Sequence, residues 1–219
     1  METLQNFDSD LFCLLNGLYC DYLDHTMWLV SKTYSSALLI VVLLAILLKK
    51  GWKQTLLMVI AIALVVLLAD RISSGIIKPL VERLRPSHEP TLSNIVHVVN
   101  DYRGGQYGFV SSHAANMFGI ATLICLVMRN RWMWLSMMVW AAIVSYSRIY
   151  LGVHYPGDVL CGGIIGAIMA LIVYWAWKQI AAKKSKIASP KELFTAKDGN
   201  VLSAAICLNI AIWMIAGIL

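Results

Sequence analysis

Residues 55–72 read TLLMVIAIALVVLLADRI, and the reading of this run decides the fold. No side chain from Thr55 to Ala69 is charged, and then Asp70 and Arg71 arrive together. About 20 apolar residues suffice for an α-helix to cross the hydrocarbon core of a bilayer. A helix also satisfies its own backbone hydrogen bonds where lipid offers none. Similar runs lie on either side: Ser35–Leu48, Ala114–Met128, Trp132–Tyr146, Val159–Trp177 and Val201–Leu219. Some are short for a crossing, so flanking residues such as Trp28–Tyr34 are expected to complete them. The pattern predicts an all-α fold, a polytopic membrane helix bundle of about six transmembrane helices.

Composition points the same way. The 219 residues are 59% hydrophobic and 14% charged, with mean hydropathy +0.71. Soluble domains carry about 25% charge. The length suits one bundle without a separate soluble domain. Cys125, Cys161 and Cys207 fall within apolar runs, and Cys13 and Cys20 lie near the N-terminus. Their spacing suggests neither a metal site nor a disulfide framework, so they read as small hydrophobes.

The N-terminus lacks a basic region and carries Glu2, Asp8, Asp10, Asp21 and Asp24, so it is not expected to be a signal peptide. Phe7, Leu11, Leu14, Leu15, Leu18 and Tyr19 recur at helical spacing with acids between them. That predicts an amphipathic interfacial helix. Tryptophans 28, 52, 132, 134 and 177 stand near span ends, as an interfacial belt would.

Charge orients the bundle. The connections between spans 1 and 2, 3 and 4, and 5 and 6 hold eleven of the eighteen basic residues, from Lys49 to Lys197. The other side holds ten of the twelve acids. Lys/Arg enrichment marks cytoplasmic loops. The other two connections and both termini are therefore expected to face outward. The net charge of +6 is mainly this orientation signal, and no nucleic-acid partner is implied.

The outward loops hold the chemistry. The first, taken as Ser73 to His113, contains Lys78, Arg83, Arg85, His88, His97 and Arg103; the second, SRIYLGVHYPGD, contains Ser147, Arg148, His154 and Asp158. Lys78, Arg85 and Arg148 are three cations, and guanidinium forks match phosphate oxygens. Ser111 and the N–H groups at the start of span 3 form a helix N-terminus suited to an anion. His154 and Asp158 stand four apart, on one face if a helix begins there. A carboxylate on one imidazole nitrogen fixes the tautomer and makes the other more nucleophilic. His113 is then available to protonate a leaving group. This set fits phosphotransfer without metal or other cofactor.

KPLVERLRP (Lys78 to Pro86), VSSH (Val110 to His113) and SRIYLGVHYPGD (Ser147 to Asp158) resemble, in order, the three-part signature of the type 2 phosphatidic acid phosphatase superfamily. The first and third parts match at every defined position, and the resemblance covers roughly residues 1 to 180. It implies that His154 attacks phosphorus to form a phosphohistidine, with Asp158 orienting it and His113 giving a proton to the departing oxygen. Lys78, Arg85, Ser111, Arg148 and the N–H of Ser112 would hold the phosphate. In the middle part Val110 replaces Pro and Ser112 replaces Gly. Ser keeps the backbone donor but adds a hydroxyl beside the phosphate. The expected organisation is a phosphatase core over 1–180, a basic cytoplasmic linker over 181–200 and an additional transmembrane helix over 201–219.

The resemblance implies a lipid phosphatase of a bacterial inner (cytoplasmic) membrane, its site facing the periplasm or exterior, with a membrane lipid phosphate as its partner. Undecaprenyl pyrophosphate and a lipid A phosphate lead the candidates, with phosphatidylglycerol phosphate and phosphatidic acid behind. Two other classes stay open: a non-catalytic transporter of anionic lipids, and a metallohydrolase using His113, His154, Asp158 and a loop histidine. Arg71 and Arg83 read as cations snorkelling to headgroups. His88, His97 and Arg103 read as solvated, and His25 as interfacial.

Overall fold

The computed structural model describes residues 2–183, 189 and 193–218, and these are helices and connections with no strand. The helices are α1 (Glu2–Asn16), α2 (Asp21–Val30), α3 (Ala37–Lys49), α4 (Trp52–Asp70), α5 (Lys78–Val81), α6 (Ser112–Met128), α7 (Arg131–Tyr150), α8 (Pro156–Lys183) and α9 (Ala196–Ala216). Each apolar run of the sequence thus carries a helix. By length and composition, Trp52–Val81, Pro156–Lys183 and Ala196–Ala216 can each cross a membrane. Asp21–Val30 and Thr33–Lys49, bent by 77°, make a fourth crossing if taken together. The outer faces are apolar, with Ile60, Leu64 and Leu67 of α4 and Ile164, Ile168, Leu171 and Trp175 of α8 exposed.

The end of the second span differs from expectation. The sequence ends the second span near Ile72, but α4 continues through a π-helical segment, Arg71–Ile77, into α5. Ser73 donates to the Ala69 carbonyl (2.7 Å) and Ser74 to the Asp70 carboxylate (3.1 Å). Local serine bonds of this kind satisfy backbone and side-chain groups where the helical turn widens. The helix stops at Glu82, whose φ of 51° is left-handed. Lys78 therefore stands on a helix end rather than in a free loop.

The α6–α8 contact fixes the site end of the bundle. A Cβ on Gly166 would stand 1.9 Å from the Ala115 carbonyl oxygen, and one on Gly162 would stand 2.3 Å from that of Ser111. Only glycine at these two positions lets the backbones approach so closely, as small residues do between membrane helices. Behind this seam Met58, Val65, Leu123, Met133, Met137 and Trp140 close the core.

α1 exposes Leu4, Phe7 and Leu14, and turns Phe12 and Asn16 inward. Asn16 donates to the carbonyls of Tyr150 (2.8 Å) and His97 (3.0 Å), which docks the helix onto the bundle. α9 begins at Ala196, ahead of the expected Val201, because Thr195 and Asp198 form a capping box. It packs against α7, and Trp213 donates to the Ser35 carbonyl (3.0 Å) ahead of α3. Lys184, Lys186 and Lys191 of the expected linker lie outside the described residues.

Candidate active site

The site forms where α5, the 82–111 loop, the start of α6 and the α7–α8 connection meet. His154, 2% exposed, sits in that last connection, and Asp158 is fully buried in the first turn of α8. His154 Nδ1 is 3.4 Å from Asp158 Oδ2, which also accepts the Tyr155 N–H at 3.0 Å. Arg85 Nη1 is 3.3 Å from His154 Nε2 and donates to the Val153 carbonyl at 3.2 Å. A guanidinium can only donate. His154 Nε2 is therefore an acceptor, and the ring proton sits on Nδ1 facing Asp158. The nitrogen with the free lone pair points toward the cations.

Burial first, and then the charges of Arg85, Arg148, Lys78 and His113, hold the His154 imidazole well below the usual histidine range. The ring is neutral at physiological pH, as a nucleophile requires. Lys78, Arg148 and His113 act on the ring through their charge and none bonds to it. Arg85 is itself buried, and Arg148 opposes its charge, so its pKa is lowered. Two guanidiniums crowded together out of water form a seat for an anion.

Backbone geometry serves these side chains. Arg85 Nε donates to the Tyr107 carbonyl (3.2 Å). Gly104 adopts φ +68°, and a Cβ there would stand 2.9 Å from Arg85 Nη1. Ser111, fully buried, caps α6 by accepting the Ala114 N–H (3.3 Å), and its own N–H donates to the Asp158 carbonyl (2.9 Å). That second bond ties the start of α6, and with it His113, to the His154–Asp158 turn. His113 Nε2 and Arg148 Nε are buried without a hydrogen-bond partner among the described residues. Unpaired buried polar atoms are costly, and they gather where a ligand is to satisfy them.

Ser112, the departure from the family pattern, has a partner: its hydroxyl lies 2.7 Å from that of Ser74, which bonds Asp70. Arg148 Nη2 donates to the Tyr102 hydroxyl (3.0 Å). Burial works to raise the Tyr102 phenol, but the charge and hydrogen bond of Arg148, with Arg85 and Lys32, outweigh it and lower its pKa.

Several of these partners were not read from the sequence. Arg83, expected to snorkel, instead bonds Asp158 Oδ1 (3.0 Å) and Asp8 (2.8 Å) and lies 3.9 Å over the Tyr155 ring. His97, expected to be solvated, bonds Asp24 (2.8 Å) and stacks on Tyr19 with ring centroids 4.0 Å apart. Arg103 donates to the Ser87 carbonyl (2.9 Å). His25 is exposed.

Beside the site an apolar cavity of about 360 Å³ opens between α3, α4, α6 and α7, lined by Leu39, Leu43, Ile62, Met117 and Trp140, among others. His113 is part of the same wall, so the cavity adjoins the polar site.

Comparison with known proteins shows the family. The sequence profile of the PAP2 superfamily matches residues 54–181. A lipid A 4'-phosphatase of Bacteroides thetaiotaomicron is 38% identical over 185 residues, 84% of this chain and 82% of that protein. A lipid A 4'-phosphatase of Porphyromonas gingivalis is 37% identical over 175 residues, 80% of this chain and 74% of that protein. The crystal structure of Aquifex aeolicus LpxE superposes with TM-score 0.57 at 27% identity, covering 75% of this chain and 92% of that one.

Proposed function

Because the chain belongs to the PAP2 superfamily, we propose that it is an integral-membrane lipid phosphatase that works through a phosphohistidine on His154, with a lipid A-type phosphomonoester as its substrate. The observation that carries this reading is the line Arg85–His154–Asp158, in which a neutral imidazole aims its lone pair at the cations and its N–H at a carboxylate. A transporter needs the cations but has no use for that line.

His154 Nε2 attacks phosphorus, the bond to the lipid oxygen breaks, and His113 supplies the proton that oxygen needs. Arg85 turns from Nε2 to the phosphate as it arrives, joined by Lys78, Arg148, Ser111 and the Ser112 N–H. These groups hold the equatorial oxygens on which transition-state charge builds. Water then attacks the phosphohistidine, with His113 accepting its proton, and phosphate leaves. The apolar cavity beside His113 takes an acyl chain, so the headgroup enters from the bilayer rather than from bulk water.

The lipid A assignment is supported by the two lipid A 4'-phosphatase relatives; undecaprenyl pyrophosphate is the second candidate, since the same site can take a terminal phosphate. The metallohydrolase reading needs a loop histidine beside His154; His97 is instead engaged by Asp24 and Tyr19, and His88 Nδ1 lies 3.2 Å from the Ser87 hydroxyl. All six apolar runs of the sequence cross the membrane in this reading, with the site facing the periplasm of a bacterial inner membrane. The basic connections that include Lys49, Lys53 and Arg129 then face the cytoplasm. Residues 1–180 form the catalytic core and α9 an added span.

The test is phosphate release by purified protein from a panel of lipid A phosphate, undecaprenyl pyrophosphate, phosphatidylglycerol phosphate and phosphatidic acid, in the presence of EDTA. Turnover of lipid A phosphate above the others is expected. Release from none of the four would favour the transporter.

A further inference from the structure

The sequence gives α1 an interfacial role, yet one of its acids turns inward onto the catalytic turn. We propose that Asp8 is a positioning residue of the phosphatase site, acting through Arg83 to set the placement of Asp158 and hence of His154. This rests on the phosphohistidine reading above and extends it to a helix outside the matched family segment, which begins at residue 54.

Both carboxylates meet on one nitrogen. Arg83 Nη1 is 2.8 Å from Asp8 Oδ2 and 3.0 Å from Asp158 Oδ1. Asp158 Oδ2 is left to face His154 Nδ1. Asp8 Oδ1 meanwhile accepts the Gly157 N–H at 2.7 Å, so the same side chain grips the backbone next to Asp158. A Cβ on Gly157 would stand 2.7 Å from Asp8 Oδ2, and glycine there is what admits the contact. Tyr155 closes the arrangement: Arg83 lies over its ring, and Phe12 of α1 packs edge-on to it with centroids 5.5 Å apart.

The consequence for catalysis is electrostatic as well as steric. A single carboxylate beside Arg83 would take all of its charge and be drawn toward it. Shared between two, the guanidinium steadies Asp158 yet leaves it enough negative charge to orient the imidazole and stabilise its positive form. The Asp8–Arg83 leg keeps some exposure and counts for position more than for folding, whereas the fully buried Asp158 depends on Arg83 as its cation. Partners that orient the ligating residues of metal sites typically cost about 10- to 100-fold in activity when removed, and a loss of the same order is expected for a group that orients a nucleophile.

The experiment measures kcat and KM for lipid phosphate hydrolysis by the full chain in detergent, as wild type, Asp8→Asn, Arg83→Gln, the double variant and His154→Ala. Asn keeps an acceptor for Gly157 and removes only the charge. The expected result is a loss of about 10-fold in kcat for Asp8→Asn with KM unchanged, and a loss of up to about 100-fold for Arg83→Gln. The double variant should lose no more than Arg83→Gln alone, since the two act as one unit. Full kcat in Asp8→Asn, an effect confined to KM, or losses that multiply in the double variant would each overturn the inference. If Arg83→Gln does not give folded protein, Asp8→Ala, which also frees the Gly157 N–H, takes its place and must lose at least as much kcat as Asp8→Asn with KM unchanged. If His154→Ala is inert while Asp8→Asn is unaffected, only this inference fails; if His154→Ala turns over normally, the underlying reading fails with it.

Discussion

Gly162→Ala is the substitution whose effect the structure fixes most tightly. The added Cβ would stand 2.3 Å from the Ser111 carbonyl oxygen. A carbon–oxygen contact needs about 3.4 Å, so α6 and α8 must part by roughly 1 Å at this point. The nearby bond from Ser111 N–H to the Asp158 carbonyl, now 2.9 Å, stretches with them. That bond keeps the His113 helix in register with the His154 turn. A misplacement of about 1 Å between reacting groups can cost about 100-fold in rate. This corresponds to about 2.7 kcal/mol of barrier. Overpacking of this kind also costs about 1–3 kcal/mol of stability. Phosphate release from the lipid substrate gives kcat/KM, and thermal unfolding in detergent shows that the variant is folded. Two other glycines calibrate the result. A Cβ on Gly163 meets the Phe118 ring at 3.0 Å, and that side chain can move, so Gly163→Ala should lose only a few-fold. A Cβ on Gly105 meets nothing within 4 Å, and Gly105→Ala should match wild type. A Gly162→Ala enzyme that is folded and within about two-fold of wild type would refute the claim that close backbone approach sets the catalytic geometry.

Three further outcomes are expected. Ser112→Gly removes the contact with Ser74 but keeps the backbone N–H. It should stay within about 10-fold of wild-type activity, a net hydrogen bond being worth about 1 kcal/mol; a loss as complete as that of His154→Ala would contradict this. Tyr102→Phe removes the acceptor on Arg148, and a bond to a charged donor is worth about 1.5–3 kcal/mol, so kcat/KM should fall at least about 10-fold; unchanged kinetics would show that Tyr102 does not hold Arg148 in place. The substrate-free His154 ring should stay neutral as pH falls past its ordinary value, since burial and the surrounding cations depress its folded-state pKa. The unfolded chain takes up that proton at about pH 6.5, so His154 costs the fold stability as pH drops below that value. Nitrogen-15 histidine spectra check it, and an imidazolium at His154 near pH 6 would be the contrary finding.

Much of this was legible in the chain because membrane constraints leave strong marks. Uncharged runs of helical length and cations grouped in certain connections reveal an all-helical bundle without tertiary information. The cations, histidines and carboxylate of the site were legible by residue type and spacing, and the structure gathers them at one end. The supporting contacts were not. Asp8 and Arg83 lie far apart in sequence, and an acid on an amphipathic helix looks the same whether it faces water or a partly buried guanidinium. Tyr102 and Ser74 carry no spacing signal at all. The extension of α4 to Val81 was hidden because Ser73, Ser74 and Gly75 look like a loop, whereas the serines bond locally and the helix widens instead of ending. The α6–α8 seam could be suspected from Gly162 and Gly166 at helical spacing, but only their partners, Ser111 and Ala115, show what the glycines admit.

The most direct test is to trap the phosphoenzyme. Wild-type protein quenched during turnover of a phosphorus-32-labelled lipid phosphate should carry an acid-labile, alkali-stable label. His154→Ala should carry none and release no phosphate. His113→Ala, lacking the proton source, should still bind phosphate but turn over slowly. A labelled protein that survives acid, or a His154→Ala variant with near-normal turnover, would contradict the assignment of the nucleophile.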